Sequence, residues 1–329
     1  MKLKLLDYLV CFRCSRKFEL QDAVHESGEV KQGKLSCRAC NLIFHIENFI
    51  PRFVEKENYS ANFGLQWNKF RRTQIDKFNG TTLSRDRFYR VSGWQPRDLK
   101  SQLVLEAGCG AGRFTQICLD AGAEVVSFDL SNSVDACLEN HGLTTNLHLI
   151  QASIYDLPLR KEIFPYVFCL GVLQHTPNPK KSFLTLAQFL RGRGGSIAVD
   201  VYRLGLWDIM LPKRYLRLIT KWMDHERLFD IVSRSVPYLL PISDLIGKIS
   251  VAGFYLKRFV PVANIRGYAP LNEDVIREWA VLDTFDSLSP RYDNPQTIGI
   301  VRRWLLEAQL KDIEVFGRKT QIIARGIKQ

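Results

Sequence analysis

The order of apolar and polar positions divides the chain into a regular middle and two flanks that keep a different rhythm. From Leu99 to Tyr202, short apolar runs alternate with amphipathic segments. Leu103–Ala107, Glu124–Asp129, Leu147–Ala152, Tyr166–Leu170 and Ser196–Tyr202 read as strands, and Arg113–Ala121, Asn132–Asn140 and Pro179–Leu190 as helices. Short apolar strands separated by helices predict a parallel sheet covered on both faces. Near the C-terminus, Thr297–Gln309 has the period of an amphipathic helix. Lys311–Phe316 and Gln321–Gly326 then read as an antiparallel hairpin that closes the sheet. The fold class is α/β, a Rossmann-like sheet of seven strands.

The flanks read differently. Phe63, Trp67, Phe70, Ile75 and Phe78 recur at three-, four- and five-residue steps, which predicts one amphipathic helix from Tyr59 to Phe78, ended by Asn79-Gly80. It would dock on the α/β unit or, with Arg71, Arg72 and Lys77 near its face, offer a basic-aromatic surface to nucleic acid. Residues 203–270 break the strand–helix alternation. Leu206 to Ile249 mixes Leu, Ile, Tyr and Trp with Lys and Arg and is punctuated by Pro212, Pro237 and Pro241. It reads as an inserted helical lid, either packed over an active site or touching a lipid-linked substrate or membrane surface. The expected units are residues 1–55, 56–98 (a helical linker or cap), 99–202 (the core), 203–296 (the lid) and 297–329 (the closing helix and hairpin).

Composition narrows the class without naming a chemistry. The 329 residues are 46% hydrophobic and 24% charged, as in ordinary globular proteins. Met1–Val10 alternates Lys and Leu without the apolar core of a signal peptide, and no apolar run approaches a bilayer span. A cytoplasmic protein is expected. The formal charge of +12 is uneven: residues 1–100 and 201–329 are strongly basic, and residues 101–200 are slightly acidic. Basic flanks around a near-neutral centre suit an anionic partner, namely a phosphorylated substrate, nucleic acid or membrane headgroups; a plain solvated surface is the other reading.

Two clusters carry candidate chemistry. Cys11-x-x-Cys14 and Cys37-x-x-Cys40 have the spacing of two knuckles around a tetrahedral zinc ion, with a short two-strand excursion between them. Disulfides are the competing reading, disfavoured in a cytoplasmic chain. Cys109, Cys118, Cys137 and Cys169 stand alone and read as small core residues. The second cluster follows the first core strand: Gly108, Gly110 and Gly112 alternate, with Glu106 two residues before them. Alternate glycines let a backbone turn sharply and lie flat against a ligand. A pyrophosphate-binding loop would space its third glycine one residue later and keep the mouth free of acid. This mouth suits a cationic ligand such as S-adenosylmethionine.

Five motifs, in order, resemble the class I S-adenosylmethionine-dependent methyltransferases. They are Val104-Leu-Glu-Ala-Gly-Cys-Gly-Ala-Gly112, Val126-Ser-Phe-Asp-Leu-Ser131, Gln151-Ala-Ser-Ile-Tyr-Asp-Leu-Pro158, Leu170-Gly-Val-Leu-Gln-His-Thr-Pro-Asn-Pro179, and Arg193-Gly-Gly195 before a strand. Phe63-Gly-Leu-Gln-Trp67 and Ser289-Pro-Arg-Tyr-Asp-Asn-Pro-Gln-Thr297 are similar to segments of methyltransferases of bacterial polysaccharide and small-molecule biosynthesis that carry an N-terminal zinc ribbon. The resemblance implies that Gly108, Gly110 and Gly112 carry the loop past the methionine part of the cofactor. It further implies that Glu106 answers the ammonium directly or through water, and that Asp129 accepts both ribose hydroxyls, with Leu130 beside it. Ser153 and Ile154 would flank the adenine, and Gly171 would pass near the transferring methyl. Ser153 stands where an Asp often binds the adenine amino group.

The chemistry implied is methyl transfer to a small-molecule or saccharide acceptor, phosphorylated or lipid-linked among the options, at a hydroxyl. His175 would be the base that takes the hydroxyl proton or contact the substrate, or else only orient a loop or wall the cavity; Tyr202, Arg291 and Tyr292 would contact substrate, a surface salt bridge being the other reading for Arg291. The alternative is an RNA methyltransferase that grips phosphate through the ribbon and basic flanks.

Overall fold

A computed structural model describes residues 1–55, 58–205, 211–249 and 251–329. The start of the expected lid, Leu206 to Met210, lies outside the described residues, as do residues 56–57 and 250. The strands are β1 (Glu19–Glu26), β2 (Glu29–Cys37), β3 (Leu42–Glu47), β4 (Ile50–Arg52), β5 (Leu103–Ala107), β6 (Glu124–Asp129), β7 (Leu147–Gln151), β8 (Tyr166–Leu170), β9 (Ser196–Tyr202), β10 (Leu310–Arg318) and β11 (Gln321–Lys328). They form one mixed sheet in the order β1-β2-β3-β4-β7-β6-β5-β8-β9-β11-β10.

The seven core strands occupy the places that periodicity assigns them. β5 to β9 run parallel, and β11 inserts antiparallel between β9 and β10. The chain leaves β5 toward β6 on one side and returns beside it as β8. This reversal opens a crevice beyond the carboxyl ends of the strands, the usual ligand position in such sheets.

The N-terminal ribbon departs from the expected two-strand excursion. It has four strands, and β4 pairs parallel with β7 at Arg52↔Gln151. The Phe53 amide donates to the Gln151 carbonyl (2.8 Å), and Arg52 reaches Gln151 Oε1 (2.8 Å) and Asp135 (2.7 Å). An uncovered β7 would be an open edge, and the ribbon covers it. Leu5, Leu9, Phe18 and Leu35 share one core with Val126 and Ile150 across this junction.

The single helix expected from Tyr59 to Phe78 is two, Ala61–Lys69 and Asp76–Asn79. Polar partners override the aromatic period. Thr73 and Gln74 are buried in the intervening turn, where their side chains bond Glu278 and Asp283. Asp76 then caps the next helix, Leu83–Ser92, accepting from the Ser84 and Arg85 amides (2.9 Å each). On the first helix the buried positions are Asn62, Gly64 and Gln66, so a polar face docks.

The described residues of the segment expected as a lid include the helices Pro212–Thr220, His225–Ile249, Val251–Leu256 and Glu273–Leu288. Pro237 and Pro241 do not punctuate it; both lie inside the 25-residue helix His225–Ile249. Their rings are on its exposed side, where water can take the carbonyls that lose a donor. The opposite face, Leu228, Val232, Val236 and Leu240, packs on Ile276, Trp279 and Phe285 of Glu273–Leu288.

Candidate active site

The loop after β5 turns through positive φ at Gly108 (+79°), Gly110 (+52°) and Gly112 (+89°). The three do different work. A Cβ on Gly108 would stand 2.4 Å from Val172, and one on Gly110 would stand 3.2 Å from Trp67 Nε1, so the loop slides between these neighbours. Gly112 faces away from the crevice: its Cβ would lie 2.3 Å from His141 Nε2, on the helix Ser133–His141. It is there for helix packing, and only Gly108 and Gly110 line the cavity.

That cavity, about 1740 Å³, opens beyond the carboxyl ends of β5, β6 and β8. Asp129, the last residue of β6, lines it. Oδ2 accepts from the Gly110 amide (3.0 Å), and Oδ1 from the Ser131 amide (2.9 Å) and hydroxyl (2.8 Å). These bonds lock the glycine loop to the end of β6. Oδ2 keeps lone-pair capacity for a donor in the cavity. Burial raises the Asp129 carboxyl above its usual range, against these bonds. Leu130, Ile154 and Gly171 also line the cavity. The Gly171 amide donates to Asp200 (2.6 Å), whose other oxygen pairs with Arg87 (2.8 Å). Ser153 does not line it; its hydroxyl accepts from the Tyr155 amide and closes a local turn.

Glu106 is not on the cavity wall. It is 1% exposed beneath the loop, where Thr115 and Ser127 each donate to Oε2 at 2.5 Å. Oε1 has no partner among the described residues. Burial pushes this carboxyl up to about 7, with the two hydroxyls opposing. An acid raised on folding destabilises the fold progressively from its unfolded value of 4.5 up to about 7, and by a constant amount above that. The gap corresponds to an order of about 3 kcal/mol. Glu106→Gln keeps an acceptor for both hydroxyls. It should therefore melt above wild type at about pH 8 and level with it at about pH 4. Equal melting at both pH values would refute the buried charge.

The same cavity is lined by His175, buried at the end of a short turn, Leu173–His175. Nδ1 is 3.1 Å from the Tyr292 carbonyl, an acceptor only, so Nδ1 carries the proton and Nε2 is left as an acceptor. Phe63 and Tyr202 pack on the ring, with centroids at 5.2 and 5.4 Å. His175, Tyr202, Arg291 and Tyr292 all line the cavity, so the structure brings the expected acceptor-side residues together. Phe63-Gly-Leu-Gln-Trp67 gains a physical reading as well. Phe63 backs His175, Gln66 reaches Asp286 (3.5 Å), and Trp67 covers Gly110. A Cβ on Gly64 would meet the Asn132 side chain, which would have to turn aside for this helix to keep its approach to the loop after β6.

Sequence reasoning missed a charged wall. Asp283 and Asp286, on Glu273–Leu288, line the cavity with Arg87 and Arg113. Arg113 bonds Gln74 (2.7 Å), which bonds Asp283 (3.0 Å). Burial, with Asp286 nearby, pushes Asp283 up to about 7. The signal was present: Asp283 and Asp286 continue the apolar stripe of Ile276 and Trp279 at helical spacing, where an acid must meet a partner.

At the other end of the chain, the Sγ atoms of Cys11, Cys14, Cys37 and Cys40 lie within 4.8 Å of one another. Cys37 ends β2, and both knuckles are tight turns closed by amide bonds, Ser15 N to Cys11 O and Cys40 N to Cys37 O. Tetrahedral zinc thiolates need S···S edges of about 3.8 Å, and Cys14···Cys37 is 3.5 Å. Hydrogen bonding to Cys14 and burial push the Cys40 thiol up to about 12, a cost that a bound dication removes. Cys109, Cys118, Cys137 and Cys169 are buried in the core.

Residues 105–198 match a family model described as a methyltransferase domain. Ubiquinone biosynthesis O-methyltransferase of Hydrogenovibrio crunogenus is 28% identical over 134 residues, 39% of this chain and 55% of that protein. The tRNA U34 carboxymethyltransferase of Campylobacter fetus is 28% identical over 130 residues, 38% of this chain and 46% of that one. The chain thus spans about half the length of these curated relatives. The solved structure of magnesium protoporphyrin IX methyltransferase from Synechocystis PCC 6803 with bound SAH superposes with a TM-score of 0.42 and 15% identity, over 82% of this chain and 97% of that one. No helix among the described residues is long and apolar enough to cross a membrane.

Proposed function

We propose, on the premise that residues 105–198 are a methyltransferase domain, that the protein transfers the methyl group of S-adenosylmethionine to a hydroxyl of a small-molecule or glycan acceptor. The observation that carries this reading is one cavity lined by Gly108, Gly110 and Asp129 and also by His175. Its volume of about 1740 Å³ exceeds the roughly 300–1,000 Å³ of a single-ligand pocket. It therefore has room for a cofactor and an acceptor side by side.

The residues present fit the cofactor. Asp129 would take a ribose hydroxyl on Oδ2, Leu130 and Ile154 would flank the adenine, and Gly108, Gly110 and Gly171 would admit the methionine part. Ser153 would contribute backbone only. Glu106, whose Oε1 is an orphaned acceptor below the loop, would serve the ammonium through water. When bound, S-adenosylmethionine supplies an electrophilic methyl group and departs as a neutral thioether. The protein aligns the acceptor oxygen and excludes water. His175 Nε2 takes the hydroxyl proton while the Tyr292 carbonyl holds the ring's tautomer.

The acceptor side is polar. Gln66 Oε1, Arg87 Nε and Asp293 Oδ1, in residues that line the cavity, are buried without partners among the described residues. Buried polar groups find partners, and a hydroxyl-rich acceptor supplies them. Lys213, Arg214, Lys221 and Arg291 also line the cavity and suit an acceptor phosphate. The same cations favour the second reading, an RNA substrate. RNA binding would weaken steeply with salt, whereas a small acceptor would be held with little salt dependence. The direct test is calorimetry of the protein with S-adenosylhomocysteine, followed by mass spectrometry of metabolite and RNA fractions incubated with methyl-labelled donor. Absence of heat at about millimolar ligand ends the cofactor reading.

We also propose structural zinc at Cys11, Cys14, Cys37 and Cys40. Metal analysis should find about one zinc per chain, and a chelator should lower the melting temperature. Less than about half an equivalent counts against the site.

A further inference from the structure

The helix His225–Ile249 is apolar on two faces, and only one is used. Leu228, Val232, Val236 and Leu240 pack inward. On the other side Ile231, Tyr238, Ile242, Leu245 and Ile249 are 48–76% exposed. Tyr238, Ile242, Leu245 and Ile249 follow helical spacing and form a stripe about 17 Å long, with Ile231 two turns before it and exposed Arg234 between. The following turns, Val251–Leu256 and Lys257–Phe259, pack back on this helix and add exposed Leu256 and Phe259 to its end. Water has little to offer such a stripe, and a patch of this kind marks an interaction surface.

Charge selects the partner. Residues 211–268 carry ten Lys/Arg against four Asp/Glu, and from Leu245 to Asn272 there is no acid at all. Two of those four acids are already paired, Glu226 with Lys69 and Asp244 with Arg266. Arg234 and Lys248 are exposed within the stripe's own helix. A second copy of the chain docking here would bring like charge against like charge across a two-fold axis. An apolar stripe edged with cations and aromatic rings is instead the make-up of a helix lying in the headgroup region of an anionic bilayer.

The cavity mouth has the same character. Leu218 and Trp222 are 65% and 66% exposed yet line the cavity, beside Lys213, Arg214 and Lys221. We propose that the lid docks on the surface of an anionic lipid bilayer through the exposed stripe of His225–Ile249, without spanning it. The inference goes beyond the methyl-transfer reading and does not depend on it.

The test is sedimentation of the full-length protein with vesicles of phosphatidylcholine, with and without phosphatidylglycerol. Binding to the anionic vesicles is expected to be at least roughly tenfold tighter and to weaken with salt. Ile242→Glu with Leu245→Glu, both at exposed positions, should abolish it while leaving the melting temperature and S-adenosylhomocysteine binding unchanged. Arg234→Gln with Lys248→Gln should weaken it roughly 30-fold. The proposal is overturned if wild type sediments with neither vesicle, or if the Glu variant binds as wild type does. It is equally overturned if ultracentrifugation shows a dimer that the Glu variant breaks while vesicles are ignored. Vesicle binding without S-adenosylhomocysteine binding would remove the methyltransferase reading alone.

Discussion

Asp129→Ala is expected to weaken S-adenosylhomocysteine binding by a factor of roughly 10–100. A ribose hydroxyl on the open site of Oδ2 makes one charged hydrogen bond, worth about 1.5–3 kcal/mol once the partner is left without it. The same carboxylate orders its own surroundings. It accepts from the Gly110 amide at 3.0 Å and from Ser131 at 2.9 and 2.8 Å, so truncation also frees the glycine loop. Loop disorder and a lost ligand contact are separated by a second variant. Asp129→Asn keeps the shape and an oxygen toward Ser131 but turns an amide donor toward the Gly110 N–H, donor against donor. Both variants should lose affinity in calorimetry, and both should keep a cooperative thermal transition. A dissociation constant within about fivefold of wild type in the Ala variant would remove Asp129 from the ligand's contacts.

What the sequence revealed and what it hid divide along a physical line. β5, β6, β8 and β9 have the bounds that periodicity assigns, because a buried parallel strand is a short unbroken apolar run. Gly108 and Gly110 were legible because no other residue fits between Val172 and Trp67. Gly112 shared their pattern but answers to His141, since a glycine records a close approach without saying to what. Glu106 was read as a mouth residue from its position two before the loop. Only the packing of Thr115 and Ser127 over it shows that it faces inward. The helix over Tyr59–Phe78 failed for a related reason. Thr73 and Gln74 look like surface positions until Glu278 and Asp283, some two hundred residues on, are brought beside them. The charged wall of Asp283, Asp286, Arg87 and Arg113 is likewise assembled from three distant segments. Local pattern carries the sheet and the loop that the sheet presents; partners at long range carry the acceptor side.

His175→Asn is expected to lower kcat by a factor of about 10²–10⁴, the range that a positioned general base contributes. Asn is the informative replacement. Its side-chain amide can still donate to the Tyr292 carbonyl, as Nδ1 does at 3.1 Å, so the segment that brings Arg291 and Tyr292 to the cavity stays docked. What Asn lacks is the acceptor at Nε2, and with it the means to take a proton. S-adenosylhomocysteine affinity and the melting temperature should therefore hold near wild type while turnover collapses. Tyr202 is the competing base, since its hydroxyl lies in the same cavity and its ring packs edge-on against His175. Burial, with Asp286 and Asp293 nearby, pushes the Tyr202 phenol well above its ordinary value, which keeps it protonated and suits it to donating a hydrogen bond. Tyr202→Phe should accordingly cost far less than His175→Asn. A larger loss at Tyr202, or a loss of only a few-fold at His175, would move the proton transfer away from the histidine.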